Sequence, residues 1–132
     1  VLKQIRRVLL TTALIAGGVV ASATMAPAQG NAPSVLHLSV GPEGKAAQRM
    51  TVLECHPAGG AHKFAQKACD DLERVQGDFR QMNVNLARAC TMEYAPVTAT
   101  LEGTWRGNQV NYTKTYPNSC VLQNETGVVF DI

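Results

Sequence analysis

Residues 97–116 read VTATLEGTWRGNQVNYTKTY, two runs rich in β-branched and aromatic residues, Val97 to Trp105 and Gln109 to Tyr116, flanking Arg106-Gly107-Asn108. Gly-Asn between such runs is a strong hairpin signal, because a tight turn needs residues that tolerate positive φ. A lone hairpin cannot bury a core, so the fold depends on what precedes it. Upstream, Val35 to Val40 alternates, with Leu36, Leu38 and Val40 on one face and Val35, His37 and Ser39 on the other. That pattern predicts a half-buried strand. Gly41-Pro42-Glu43-Gly44 predicts a turn, and Arg49 to Cys55 a second strand returning beside the first, broken by Pro57-Ala58-Gly59-Gly60. Between Lys67 and Met82, the residues Ala68, Leu72, Val75, Phe79 and Met82 recur at three and four positions, the spacing of one helical face. Gly77 is expected to end or bend this helix. Gly127-Val128-Val129-Phe130 predicts a fifth strand. The order predicts an α+β fold, an antiparallel five-stranded sheet with one main helix packed on one face.

The remainder of the chain sets limits on partners. Of 132 residues, 45% are hydrophobic and 17% charged, and 12 Lys+Arg stand against 10 Asp+Glu. This is one domain's worth of chain, neither a disordered polyelectrolyte nor a repeat. Its small excess of positive charge is confined to the start. Lys3, Arg6 and Arg7 precede an almost uncharged stretch from Val8 to Ala28 that ends in Ala26-Pro27-Ala28. Residues 1–28 therefore read as a signal peptide cleaved after Ala28, with Ala21-Ser22-Ala23 as a second candidate. A membrane anchor is the lesser reading, since Thr11, Thr12, Gly17, Gly18 and Ser22 dilute the apolar run. Residues 29–33 are expected to form a flexible arm and 34–132 the working domain. Of 132 residues, 104 then follow the signal, and losing three of 12 basic groups leaves 9 against 10 acidic ones. Near neutrality gives no support to nucleic acid or anionic membrane as partners.

All four cysteines, Cys55, Cys69, Cys90 and Cys120, follow the signal. An even number in an exported chain reads as two disulfides, and pairing sequence neighbours closes the smallest loops: Cys55 with Cys69, Cys90 with Cys120. The rival is a zinc site of Cys55, His56, His62 and Cys69, whose spacing fits none of the common structural patterns.

Catalytic chemistry finds few candidates. The chain has no Gly-x-Ser-x-Gly elbow, His-Glu-x-x-His, Walker loop or Gly-x-Gly-x-x-Gly. Only His37, His56 and His62 could act as a base near neutral pH, and structural hydrogen bonding is the commoner role for the last two. Asp70, Asp71 and Glu73 are expected near a helix start, where the helix dipole accounts for them. Neither enzymatic activity nor a cofactor is expected. Asn111-Tyr112-Thr113 and Asn124-Glu125-Thr126 match the glycosylation sequon by chance.

One segment stands out, Cys90-Thr91-Met92-Glu93-Tyr94-Ala95-Pro96. A Met and a Tyr in a connector held by a cysteine at one end and Pro96 at the other are unusual, although by composition alone Met92 reads as a core gap filler. The sequence resembles the Streptomyces subtilisin inhibitor family of secreted serine-protease inhibitors, from about Ser34 to Ile132. Three features carry the resemblance: Cys55-x-Pro57-x-x-Gly60-x-His62 continuing to Ala68-Cys69-Asp70-x-Leu72; Cys90-x-Met92-x-Tyr94-x-Pro96-Val97; and Trp105-x-Gly107 with Asn118-x-Cys120. Lys63 departs from the family's usual Pro.

The resemblance implies a standard-mechanism inhibitor of subtilisin-like proteases and, less strictly, chymotrypsin-like ones. Met92 would enter the specificity pocket and Met92–Glu93 would be the scissile bond. Cys90, Thr91, Tyr94, Ala95 and Pro96 would make the flanking contacts, and Asn118 would prop the segment. Thr91 replaces a frequent Pro, and Glu93 places a charge just past the scissile bond. The resemblance also implies a homodimer joined through sheet faces that include the first strand, where His37 would make association pH-sensitive. The competing expectation is a secreted interaction protein, either a transglutaminase substrate using Gln48, Gln66 or Gln81 with Lys45, Lys63 or Lys67, or a partner in protease maturation.

Overall fold

The computed structural model describes residues 17–23 and 32–132. Most of the expected signal peptide and arm therefore lies outside the described residues, among which no helix is long and apolar enough to cross a membrane. The domain contains β1 (Ser34–Pro42), β2 (Arg49–Cys55), β3 (Gly59–Gly60), α1 (Ala65–Glu73), β4 (Val97–Trp105), β5 (Asn108–Tyr116) and α2 (Ser119–Thr126). One sheet has the order β3-β2-β1-β4-β5, and every neighbouring pair is antiparallel.

The alternation in β1 is realised as read. Leu36, Leu38 and Val40 are buried and meet Leu53 of β2 and Ala99 and Leu101 of β4 on the same face. Ala68 and Leu72 of α1, Phe79, Met82, Leu122, Val129 and Phe130 close the core over that face. Each fully buried Leu contributes about 1.5–3 kcal/mol relative to exposure. The opposite face of β1, Val35, His37 and Ser39, pairs across strands with Glu54, Val52 and Met50 and with Thr104, Glu102 and Thr100. Thr98–Thr115 and Thr100–Thr113 hydroxyl pairs, at 2.9 and 3.3 Å, extend this polar side onto β5. The hairpin turn is tighter than three residues. Trp105 pairs directly with Asn108, and Arg106 and Gly107 adopt φ of 48° and 83°, as a two-residue turn between twisted strands requires.

Five strands and a helix on one face are present, but two elements differ from the sequence reading. The fifth strand is not Gly127–Phe130; it is the two-residue β3, which pairs Gly59 and Gly60 with Glu54 and Leu53 where a break was expected. Residues 119–126 form a second helix instead. Asn118 caps it by accepting the Val121 N–H at 2.9 Å, and Gly127, at φ 60°, ends it. Val129 and Phe130 are buried by turns that follow the helix, so their hydrophobicity marks the core and not a strand.

The main helix is also shorter than its apolar pattern. It closes in a Schellman turn, with Gly77 N–H to Leu72 O at 3.0 Å and Gln76 N–H to Glu73 O at 3.3 Å. A Cβ on Gly77 would sit 2.7 Å from the Trp105 ring, so only glycine lets the chain turn there. Phe79 continues the apolar face from one turn of 3₁₀ helix, Phe79–Gln81. Because α1 starts at Ala65, Asp70, Asp71 and Glu73 lie in its second half, where the helix dipole disfavours them. Local partners account for them instead: Gln66 for Asp70, Lys67 for Asp71, and His56 with Arg106 for Glu73.

Candidate functional site

Residues 90–96 belong to no helix or strand and leave the body of the domain between the 3₁₀ turn and β4. Met92 stands at their apex with its side chain 99% exposed, and Tyr94 is exposed two residues on. The reading of Met92 as a core plug is therefore wrong; Met82 fills the core. An apolar side chain held wholly in water forgoes the stabilisation that burial would give it.

The apex is fastened from below. Asn118 Nδ2 donates to the carbonyl of Glu93 at 2.9 Å and to that of Thr91 at 3.3 Å, on either side of Met92. The Cys90–Cys120 disulfide holds one end, with Cα atoms 5.7 Å apart. At the other end Ala95 N–H donates to Pro117 O at 2.9 Å, and Pro96 O accepts the Glu43 N–H at 3.0 Å. Further back, Arg88 Nη1 donates to Gln123 Oε1 at 3.0 Å and Val84 N–H to Glu125 O at 2.9 Å. The fastenings run in register: as the chain advances from Val84 to Ala95, its partners retreat from Glu125 to Pro117. Residues 84–95 thus lie antiparallel along α2 and the residues before it. This platform was missed in the sequence. Arg88, Gln123 and Pro117 carry no motif that would single them out; only Asn118 and Gly127, a start and a stop signal nine residues apart, bracketed α2.

The second candidate cluster is structural. Cys55–Cys69 forms with an S–S distance of 2.05 Å, which takes both sulfur ligands from the zinc reading and overturns it. His62 is buried, donating from Nε2 to Val129 O at 2.9 Å while Nδ1 accepts the Phe64 N–H at 3.0 Å, so both ring nitrogens are engaged within the fold. His56 lies between Ser34 Oγ at 2.9 Å and Glu73 Oε2 at 3.0 Å. Ser, His and a carboxylate in line resemble a hydrolytic triad, but Ser34 is 0% exposed and its Oγ accepts the Arg106 N–H at 2.8 Å. No substrate reaches such a hydroxyl. Glu73 is desolvated by burial, which opposes ionisation, yet hydrogen bonds and charge from Arg106 and His56 hold its carboxyl below the ordinary range. The cluster ties the start of β1, the disulfide loop, α1 and the β4–β5 turn together.

A family model described as subtilisin inhibitor-like matches residues 32–118, which span the sheet, the Cys55–Cys69 disulfide, Cys90 and the exposed apex. The chain belongs to the subtilisin inhibitor-like family. Within this family, a protease inhibitor of Streptomyces netropsis is 43% identical over 107 residues, 76% of this chain and 96% of its own. Subtilisin inhibitor-like protein 2 of Streptomyces rochei is 40% identical over 110 residues, 80% and 97% of the two chains. Sermetstatin of Streptomyces caespitosus, solved in complex with Bacillus licheniformis subtilisin, superposes with a TM-score of 0.65 at 27% identity over 76% of this chain and 100% of its own. The subtilisin inhibitor-like match ends at Asn118, so Pro117 and Asn118 beneath the apex fall inside it and α2 lies just past it.

Proposed function

We propose that this chain is an exported standard-mechanism inhibitor of subtilisin-like serine endopeptidases that presents Met92–Glu93 as its scissile bond. One observation carries the reading: a methionine fully open to solvent, with the carbonyls on both sides of it held by a single buried asparagine. An unbranched apolar side chain suits a broad hydrophobic pocket, and less strictly a chymotrypsin-like one. Cys90, Thr91, Tyr94, Ala95 and Pro96 supply the flanking contacts as an added strand.

The physical basis is preorganisation. The protease serine attacks the Met92 carbonyl and the Met92–Glu93 bond opens, giving an acyl-enzyme and the free amine of Glu93. Asn118 still holds the Glu93 carbonyl, and Ala95 remains hydrogen-bonded to Pro117. The amine therefore stays at high effective concentration beside the acyl carbon, and peptide resynthesis competes with hydrolysis.

In this reading residues 1–28 direct export, 29–33 form an arm, and 34–132 act outside the cell, where both disulfides persist. A homodimer forms across the sheet face bearing His37, supported by the exposed Met50 on the same face. The competing transglutaminase-substrate reading gains little support, since Gln66 is bonded to Asp70 and Lys63 and Lys67 to Asp131 and Asp71.

Titration of the purified domain against subtilisin tests the proposal. Stoichiometric inhibition with slow cleavage at Met92–Glu93 is expected. Inhibition accompanied by cleavage elsewhere, or rapid digestion without inhibition, would overturn it.

A further inference from the structure

The four cysteines are all consumed in Cys55–Cys69 and Cys90–Cys120, so the chain offers an oxidant no thiol. Its soft nucleophiles are thioethers, and the three of its four methionines that lie among the described residues differ sharply in access. Met82 is 4% exposed in the core, Met50 is 76% exposed on the open sheet face, and Met92 is 99% exposed at the apex. Met50 would be covered by the second copy in the proposed dimer; Met92 would not.

We propose that Met92 is a reversible oxidation site through which a peroxide switches the inhibitor off. This rests on Met92 being the side chain that enters the protease pocket. The Met92 sulfur attacks one peroxide oxygen: an S–O bond forms, the O–O bond breaks, and the departing hydroxide takes up the proton that the sulfur-bound oxygen gives up. The thioether is oxidised by two electrons to the sulfoxide, and hydrogen peroxide is reduced to water. The product is polar and acquires a new stereocentre. Buried in an apolar pocket, its oxygen loses water without gaining a donor, which weakens binding by roughly tenfold or more. The scaffold is unaffected, because the fastenings of Met92 are backbone carbonyls, an amide side chain and a disulfide, none of which a mild peroxide alters. Reversal needs a sulfoxide reductase for each of the two epimers with a dithiol donor, which returns the thioether and releases water as the dithiol becomes a disulfide.

The test treats the whole domain with hydrogen peroxide, removes the oxidant, maps sulfoxides by peptide mass and titrates against subtilisin. Wild type and Met50→Leu are expected to lose inhibition together with the appearance of Met92 sulfoxide, and to regain it after treatment with the reductases for both epimers, both disulfides being checked by mass. Met92→Leu, an apolar replacement of similar size, is expected to inhibit equally before and after. Full inhibition by protein carrying Met92 sulfoxide would overturn the switch, as would equal loss in Met92→Leu. The reading it rests on is judged separately in the untreated sample. Slow cleavage at a bond other than Met92–Glu93 there would sink the reactive-site assignment whatever peroxide does.

Discussion

Asn118 divides its amide between two tasks. Its Oδ1 accepts the Val121 N–H and caps α2, while Nδ2 holds the carbonyls of Thr91 and Glu93. Substitution can separate them. Asn118→Asp keeps an acceptor for the cap and removes the donor, setting an anion against two carbonyl oxygens. The melting temperature is expected to change little, while cleavage at Met92–Glu93 by subtilisin becomes faster and inhibition turns temporary. Loss of two hydrogen bonds to a buried side chain would weaken the complex by about 1–3 kcal/mol. Asn118→Ala is expected to lower both stability and inhibition. Steady thermal melts beside unaltered cleavage rates in Asn118→Asp would show that the asparagine does not prop the segment. At Met92 itself, Met92→Lys is expected to shift inhibition from subtilisin toward trypsin-like enzymes, whose pocket carboxylate favours a cation. Inhibition constants for both classes measure it. Met92 and Asn118 were both legible through the family resemblance; from composition alone Met92 read as core, because exposure of one side chain leaves no mark on local pattern.

Among the elements, α2 carries the site without being part of the exposed segment. Residues 117, 120 and 123 each engage one partner in the stretch from Arg88 to Ala95, and Asn118 engages two. The Arg88–Gln123 hydrogen bond is the outermost of these and is exposed, so Arg88→Ala and Gln123→Ala are expected to raise the inhibition constant only two- to fivefold, about 0.4–1 kcal/mol. The double variant should be no worse than either single one, a non-additivity that inhibition assays on all three would reveal. The helix was hard to read because its eight residues, SCVLQNET, have no strong apolar stripe. Its stability comes from the Asn118 cap, the disulfide at Cys120 and burial of Leu122. Short helices of this kind are held by packing more than by propensity. The main helix failed in the opposite way: its apolar spacing ran on past the Schellman turn because Phe79 re-enters the same core from a separate turn.

The whole molecule depends on a few close approaches that join distant segments. Gly103 in β4 has φ 141°, and a Cβ there would lie 2.1 Å from the carbonyl oxygen of Val35 in β1. Gly103→Ala is therefore expected to destabilise the domain severely, by about 3 kcal/mol or more, as thermal melts would show. The cluster around Glu73 sets an acid limit. Its carboxyl titrates below the ordinary 4.5, against the effect of burial, because Arg106 and His56 favour the anion. A depressed carboxyl stabilises the fold fully above the unfolded-state value and loses that contribution as pH falls through the folded one. The melting-temperature advantage of wild type over Glu73→Gln is thus expected in full near neutral pH, and to be lost as pH falls from the ordinary 4.5 through the lower folded-state value. A pH-independent difference between the two proteins would refute this.

By itself the sequence determined the strands β1, β2, β4 and β5, the hairpin between the last two, and both disulfides, because each has a local signature: alternation, a left-handed turn dipeptide, or cysteines adjacent in order. Through its resemblance it also pointed to Met92 and Asn118. Tertiary structure alone decided that Gly59–Gly60 pairs at the sheet edge, that residues 119–126 are helical and that Ser34, His56, Glu73 and Arg106 meet. These are contacts between segments far apart in the chain, whose energies come from partners and not from pattern. The laying of residues 84–95 along α2 is of the same kind, and it is what holds one methionine in water.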